Sequence, residues 1–161
     1  MKVILCVFII VVFGLIGKRY KDNLIKEYEL LKYIQDFIRY YNSNIVLFKD
    51  DYVKIINNYI IMQNNKNAKN NQIFIKDNYL YAINENFINK NILNKEIKSI
   101  LLQYLKTIAS SEYEYEKEKN YNFDLYLNKT IFDIQNKIKT DGNLAFKLSL
   151  SIGCVLAIII W

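Results

Sequence analysis

The chain of 161 residues is long enough for one domain of ordinary size, and 22 basic and 16 acidic residues give it a net charge of +6. It has no histidine, so the usual acid–base catalyst at neutral pH and the commonest metal ligand are both missing. The sequence also lacks a glycine-rich phosphate loop, a paired-cysteine motif and a nucleophile elbow, and its charges of both signs are interspersed without a basic block. These features argue against an enzyme, a cofactor, a small-molecule substrate and a nucleic-acid partner.

Two uninterrupted apolar segments, Val3 to Gly17 and Leu148 to Trp161, flank a mixed and charged middle. Neither segment contains an acidic or basic side chain or shows amphipathic periodicity, so each predicts a helix surrounded by apolar material. Fifteen helical residues cover about 22 Å, which is less than the roughly 30 Å hydrocarbon core of a bilayer. Snorkelling of Lys2, Lys18 and Lys147 and local thinning of the bilayer can make up the difference. Both segments are therefore predicted to be membrane helices, with Trp161 at the far interface.

A cleaved signal peptide is the main alternative for the first segment, because Lys2 precedes an apolar stretch of suitable length. A soluble core helix is the other alternative. Basic residues directly after an apolar segment oppose translocation of the chain downstream of it, and such residues also precede the second segment. They are Lys18, Arg19, Lys21 and Lys26 after the first segment, and Lys137, Lys139 and Lys147 before the second. They predict a hairpin in which residues 1–17 and 148–161 span the membrane and residues 18–147 form a cytoplasmic domain with a net charge of +5 that faces an anionic membrane surface.

The middle segment contains no proline, and its glycine is confined to Gly142, which favours an all-α helical bundle. A first helix is predicted to continue from the membrane, because Leu24, Leu31, Ile38 and Ile45 recur every seven residues. The Asn42-Ser43-Asn44 triplet is predicted to bend or end this helix.

Further helices are predicted along the rest of the chain. Asp50 or Asp51 is predicted to cap a second helix that runs through Tyr59. Residues 73–81 fit a short strand pair or a turn, and we favour a turn that leads into a helix near residues 83–87. The second helix is predicted to bury Val53, Ile56 and Ile60, and a polar loop is predicted at 63–72. A helix at about 92–110 is predicted to bury Ile97, Ile100, Leu101, Tyr104, Leu105 and Ile108. The last helix is predicted to begin at Ser111, to carry Phe123, Leu127, Ile131, Ile134 and Ile138, and to kink at 140–143.

The densest set of carboxylates comprises Glu112, Glu114, Glu116 and Glu118, near the predicted start of the last long helix. Acidic residues there are favoured by the helix dipole, so a solvated first turn explains them. A docking surface for a basic partner and a cation site are the two functional alternatives.

A small-residue stripe is present in the second apolar segment. Ser149, Gly153 and Ala157 repeat at intervals of four, which permits close approach of another helix. That helix is predicted to be the first span of this chain, through Gly14, or a span of another subunit. Cys6 and Cys154 lie inside the apolar segments and are predicted to be inert small hydrophobes.

The order of these features resembles stage III sporulation protein AB. Members of that family carry a Leu-Gly-x-x-Asp-x-x-x-Gln pattern ahead of the last helix, to which Ile108-Ala109-Ser110-Ser111-Glu112-Tyr113-Glu114-Tyr115-Glu116 is similar. Ala109 stands in the place of glycine, Glu112 in that of aspartate and Glu116 in that of glutamine. The ending with Lys147-Leu148 and Ile152-Gly153 is similar to the family's Lys-Leu and Leu-Gly pairs, although its second glycine pair is replaced near Leu156 and Ala157.

The resemblance implies a non-enzymatic part of the channel complex between mother cell and forespore, in the cell membrane of a sporulating bacterium. It implies a helical bundle similar to the cytoplasmic domains of the type II secretion platform protein (F component). The expected partners are a cytoplasmic secretion-type ATPase, similar to stage III sporulation protein AA, and other membrane proteins of the channel complex. The expected docking residues are Glu112, Glu114 and Glu116. The alternative function is a secreted or surface-anchored helical interaction protein with a cleaved signal peptide.

Overall fold

The computed structural model describes residues 2–48, 51–63, 70–77, 80–110 and 112–160. The protein is mostly helical, with long apolar helices near both termini, as the sequence predicts. Residues up to Tyr28 and from Phe132 form one compact unit, here called the terminal unit, and Glu29–Ile131 form a second, the central unit. The elements are α1 (Lys2–Phe48), α2 (Tyr52–Gln63), a 3-10 turn (Asn70–Ile73), β1 (Phe74–Asp77), β2 (Leu80–Ile83), α3 (Glu85–Asn91), α4 (Lys95–Thr107), α5 (Tyr113–Lys137), a π-helical turn (Ile138–Gly142) and α6 (Asn143–Ile160).

Helix α1 runs through the Asn42-Ser43-Asn44 triplet, so the prediction that the helix ends there is wrong. Ser43 Oγ donates to the Arg39 carbonyl at 2.9 Å, and Asn44 Nδ2 donates to the Tyr40 carbonyl at 2.7 Å. Both side chains therefore bond one turn back and leave the helical backbone bonds in place. Along the seven-residue repeat, Leu24, Leu31 and Ile38 are buried, whereas Ile45 is half-buried.

A cluster of aromatic rings forms part of the core of the central unit. Phe37 on α1 makes edge-to-face contacts with Tyr59 on α2 and Phe74 on β1, at centroid distances of 5.3 and 4.8 Å. Tyr33 packs against Tyr59 at 5.3 Å, and the Tyr59 hydroxyl donates to the Tyr33 carbonyl at 3.1 Å. These rings bury large apolar areas while the phenol group keeps a hydrogen-bond partner.

Helix α2 begins at Tyr52, directly after the predicted capping position Asp51, and Asp50 lies outside the described residues. It extends past Tyr59 to Gln63, which the sequence assigns to a loop. The buried residues are Ile55, Ile56 and Tyr59, whereas the predicted core residues Val53 and Ile60 are half-buried.

Residues 74–77 and 80–83 form an antiparallel strand pair, so the favoured turn at 73–81 is wrong and the strand alternative is correct. The helix predicted near residues 83–87 is present as α3, which begins at Glu85. The register pairs Phe74 with Ile83 and Lys76 with Tyr81. Phe74 is buried against Phe37 while Ile75 is 47% exposed, which is the alternation of a strand with one covered face. The helix starts later, because Asn84 Oδ1 accepts the Phe87 N–H at 3.0 Å and caps α3.

Helices α4 and α5 follow the predicted periodicity closely. Asn94 caps α4, so residues 92–94 precede the helix rather than opening it. Tyr104 stacks on Phe123 of α5 with ring centroids 3.7 Å apart. Residues 140–143, where the sequence predicts a kink, overlap the π-helical turn Ile138–Gly142. Among the predicted core residues, Leu101, Tyr104, Leu105, Ile108, Phe123, Leu127 and Ile134 are buried, and Ile97, Ile100, Ile131 and Ile138 are half-buried.

Candidate membrane anchor and docking surface

The two apolar helices of the terminal unit pack in antiparallel fashion. Cys6 Sγ donates to the Ala157 carbonyl at 3.3 Å, and a Cβ at Gly153 would lie 3.2 Å from the Ile10 Cα. Further along α1, Lys21 Nζ donates to Asn143 Oδ1 at 2.8 Å. Residue numbers thus rise along α1 as they fall along α6. The two helices therefore form an antiparallel pair within the terminal unit.

The two helices approach closely at Gly17. A Cβ there would be 2.8 Å from the Phe146 Cα and 2.9 Å from both the Ala145 carbonyl oxygen and Ser149 Oγ. At Gly14 a Cβ would meet only the Leu150 Cδ1, at 3.9 Å. Gly17, which the sequence reasoning missed, therefore has the packing role predicted for Gly14. The sequence did contain a sign of this role, because Gly17 stands three residues after Gly14 and therefore lies on the same face of a helix.

The stripe of Ser149, Gly153 and Ala157 faces helix α1 of the same chain, which is one of the two alternatives that the sequence leaves open. Gly153 and Ala157 are buried, and Ser149 is half-buried. A Cβ at Gly153 would also lie 3.1 Å from the Phe13 Cβ. Small residues at these positions let the two backbones come together, which is how helices associate in lipid.

The opposite faces of both helices present large apolar side chains to the outside. Ile4 and Ile158 are each 75% exposed, and Phe8 is 63% exposed. Both helices are long and apolar enough to cross a membrane by length and composition. Exposed apolar surface on two paired helices is typical of a lipid or protein contact, so the pair suggests association with a membrane. Trp161, predicted at the far interface, lies outside the described residues.

The predicted topology-setting residues lie at one end of this pair. Lys18, Arg19 and Lys147 are exposed. Lys21 is held differently, because its ammonium group bonds to Asn143 and its Cγ would be 3.2 Å from a Cβ at Gly142. The structure therefore brings basic residues of both helices to the same end of the apolar pair.

Glu116 lies inside the central unit, so it does not present the exposed carboxylate expected of a docking residue. It is 2% exposed, and its Oε2 pairs with Lys119 Nζ at 2.7 Å. Its Oε1 accepts the Ala109 N–H at 2.9 Å, and Lys119 also donates to the Thr107 carbonyl at 2.7 Å. Glu116 therefore closes the turn between α4 and α5. Sequence spacing cannot reveal this, because Glu116 reaches a backbone group seven positions earlier.

Glu112 and Glu114 are exposed, as a docking surface requires. They line an open groove of about 580 Å³ together with Tyr115 and Tyr121, which are 63% and 60% exposed. Exposed tyrosines are common in protein interfaces because one ring supplies both apolar area and a hydrogen-bonding hydroxyl. The sequence reasoning assigned these tyrosines no role, although Tyr115 stands between Glu114 and Glu116. The complete lining comprises Asn42, Glu112, Glu114, Tyr115, Lys117, Glu118 and Tyr121.

Two tyrosines of the central unit, Tyr104 and Tyr52, have raised pKa values and stay protonated at neutral pH. Burial raises the pKa of Tyr104 well above its usual value, with a further contribution from the Glu116 charge. The Tyr104 hydroxyl donates to Asn120 Oδ1, and Asn120 Nδ2 donates to Asn42 Oδ1 at 3.5 Å. Burial and the Glu116 charge raise the pKa of Tyr52 to about 12. The Tyr104 phenol therefore serves as a hydrogen-bonding group of the core.

Within the part of the chain that the structure describes, no three His, Cys, Asp or Glu side chains are grouped so that they could hold a metal ion. The cation site considered for the acidic residues near Glu112 has no support there. The chain matches no protein-family model, no curated protein and no solved structure. The resemblance to stage III sporulation protein AB stays a prediction from the sequence.

Proposed function

We propose that this protein is a non-enzymatic, membrane-anchored scaffold that holds a helical domain at the cytoplasmic face of a membrane. The observation that carries the proposal is the antiparallel packing of α1 and α6, which approach closely at Gly17 and Gly153 and turn their large apolar side chains outward. Such a pair is an anchor whose outer surface suits lipid. Basic residues beside the pair favour a cytoplasmic location for the central unit.

The specific form of the proposal is a component of the sporulation channel complex, and it rests on the sequence resemblance. The partner would be the cytoplasmic secretion-type ATPase similar to stage III sporulation protein AA. Its docking site would include Glu112 and Glu114, which are exposed beside Tyr115 and Tyr121. Carboxylates at this position would attract a basic face and increase the association rate.

Topology is the first test. Green fluorescent protein inserted after Gln63 should fluoresce, and alkaline phosphatase at the same position should be inactive, because fluorescence requires the cytoplasm and phosphatase activity requires the exterior. The same reporters fused before Met1 serve as the matched control and should give the opposite result. Active phosphatase after Gln63 would contradict the scaffold and favour a surface-anchored or secreted protein.

Partner binding is the second test. The full-length chain in detergent should bind the purified ATPase of the same organism, and the variant Glu112→Lys/Glu114→Lys should bind at least about tenfold more weakly, with a reduced dependence on salt. Glu29→Lys/Glu96→Lys is the control, since both carboxylates are exposed and Glu96 lies in the first turn of α4 as Glu114 does in α5. Equal affinity of both variants and the wild type would place docking elsewhere, and no binding by the wild type would refute the proposed partner.

A further inference from the structure

Positive charge is concentrated in the terminal unit. This unit carries a net charge of +4 out of the chain's +6, although it is the smaller of the two. The central unit has almost balanced charge and carries the remaining +2. In the terminal unit the basic residues are Lys2, Lys18, Arg19, Lys21, Lys26, Lys137, Lys139 and Lys147, and the acidic residues are Asp22, Glu27, Asp133 and Asp141.

Antiparallel packing gathers part of this charge into one band. Because Gly17 contacts Phe146 and Lys21 contacts Asn143, the α1 residues from Lys18 to Lys21 lie beside the first turns of α6. Residues 139–147 rise about 12 Å along a helix, so the band is about that deep. It lies directly next to the apolar segments of both helices.

Four exposed residues of this band, Lys18, Arg19, Lys139 and Lys147, are here called the basic collar. Lys21 is left out because its ammonium group already donates to Asn143. By sequence, residues 18–21 and 139–147 contain a single acidic residue, Asp141. Its Oδ1 accepts a hydrogen bond from Thr140 Oγ1 at 2.8 Å.

We propose that the basic collar binds the phosphate groups of anionic phospholipids where the helix pair enters the membrane. This inference rests on the proposed function, since it takes the pair as a membrane anchor. Basic side chains next to a membrane helix meet a negative surface potential, and their methylene stems can lie along apolar surface while the charges reach the headgroups. Tyr20, which is 44% exposed between Arg19 and Lys21, adds an aromatic ring of the kind enriched at that depth.

Lipid preference can be measured with the full-length chain in phosphatidylcholine vesicles. Electron paramagnetic resonance gives the fraction of spin-labelled phosphatidylglycerol, and separately of spin-labelled phosphatidylcholine, that the protein immobilises. The wild type should bind phosphatidylglycerol about threefold or more tightly than phosphatidylcholine. The preference should fall when salt is raised from about 0.05 M to about 0.5 M, because the Debye length shortens.

The variant K18Q/R19Q/K139Q/K147Q should lose the preference, whereas K76Q/K90Q/K95Q/K129Q, which removes four exposed charges from the central unit, should keep it. A smaller variant, K139Q/K147Q, should show an intermediate preference and tests the collar even if the fourfold variant folds poorly. An unchanged preference in these collar variants, or no preference in the wild type, would overturn the proposal. Failure of the anchor itself is distinguishable, because the wild-type chain would then not float with the vesicles at all.

Discussion

Glu116 accepts a hydrogen bond from the backbone N–H of Ala109, at 2.9 Å, across the turn between α4 and α5. Ala109 has a φ of 62°, and no other non-glycine residue in the described part of the chain has a positive φ. A left-handed conformation costs a residue with a Cβ roughly 1–2 kcal/mol. If the proposed resemblance to the sporulation family holds, these two positions correspond to a glycine and a glutamine. Glycine would remove the strain, and the amide oxygen of glutamine could accept the same hydrogen bond.

Ala109→Gly should therefore stabilise the protein. We expect the free energy of unfolding to rise by about 1 kcal/mol, because relief of the left-handed strain exceeds the entropy that glycine gains in the unfolded chain. Urea denaturation of the full-length chain in mild detergent, followed by circular dichroism, measures this. Ala82→Gly, at an exposed strand position, is the matched control and should destabilise by about 0.5–1 kcal/mol. A destabilised Ala109→Gly variant would refute the strain.

Glu116→Ala should destabilise the protein by about 3 kcal/mol, since it leaves Lys119 partly buried without its charge partner and frees the Ala109 N–H. Glu116→Gln should cost less, because its amide oxygen can still accept the Ala109 bond. Exposed Glu118→Ala is the control and should change stability by less than about 0.5 kcal/mol. The same denaturation series checks all three, and equal stability of Glu116→Ala and Glu118→Ala would show that Glu116 does not close the turn.

Gly17→Ala should weaken the helix pair, because the new methyl group would lie 2.8 Å from the backbone Cα of Phe146. Such overpacking costs typically about 1–3 kcal/mol. Gly14→Ala is the matched control, since its methyl group would meet only Leu150 Cδ1 at the ordinary contact distance of 3.9 Å. Unfolding by sodium dodecyl sulfate in mixed micelles, followed by circular dichroism, compares the two variants. Equal stability would mean that the helices do not approach at Gly17.

A Gly153→Leu substitution tests the other close approach. Its side chain would be forced against Phe13 and the backbone of Ile10, where a Cβ alone would lie at 3.1 and 3.2 Å. We expect a loss on the order of 1 kcal/mol or more in helix association, with membrane insertion unchanged. Alkaline extraction of membranes checks insertion, and an unchanged micelle stability would mean that the stripe has no packing role.

The helical class and the apolar pair could be predicted from the sequence because each depends on local composition and periodicity. Leu101, Tyr104 and Leu105 recur at helical spacing and are buried. The strand pair could not be predicted with the same certainty, because a short apolar segment fits a strand as well as a helix or a turn. Contact of Phe74 with Phe37, far away in sequence, covers one face of β1 and decides in favour of a strand.

The candidate site was predicted less completely than the fold. The charge pattern identified Lys18, Arg19 and Lys147, which lie at one end of the pair. The role of Glu116 could not be assigned in advance, because it depends on how a turn closes, and the spacing of Gly17 from Gly14 indicates a shared helix face but not the point where two helices cross. Both are properties of the backbone path rather than of residue spacing.

Alkaline pH should unfold the central unit through its buried tyrosines. Burial raises the pKa of these side chains above the ordinary value of 10, and for Tyr52 to about 12. A raised folded-state pKa means that the native protein holds the proton more tightly than the unfolded chain. Its stabilising contribution is therefore complete below about pH 10 and is lost as the pH rises through the folded-state value. The other tyrosines with raised pKa values are Tyr33, Tyr41, Tyr59 and Tyr104.

We expect helicity to be constant up to about pH 10 and to fall above it, together with the rise of tyrosinate absorbance in the ultraviolet. Tyr52→Phe should move this transition to higher pH, because one ionisation that favours the unfolded chain is removed. Tyr115→Phe, at a side chain that is 63% exposed, is the matched control and should leave the transition where it is. Tyrosinate absorbance that rises fully while helicity is unchanged would show that these phenols are accessible in the native protein, and would contradict their burial.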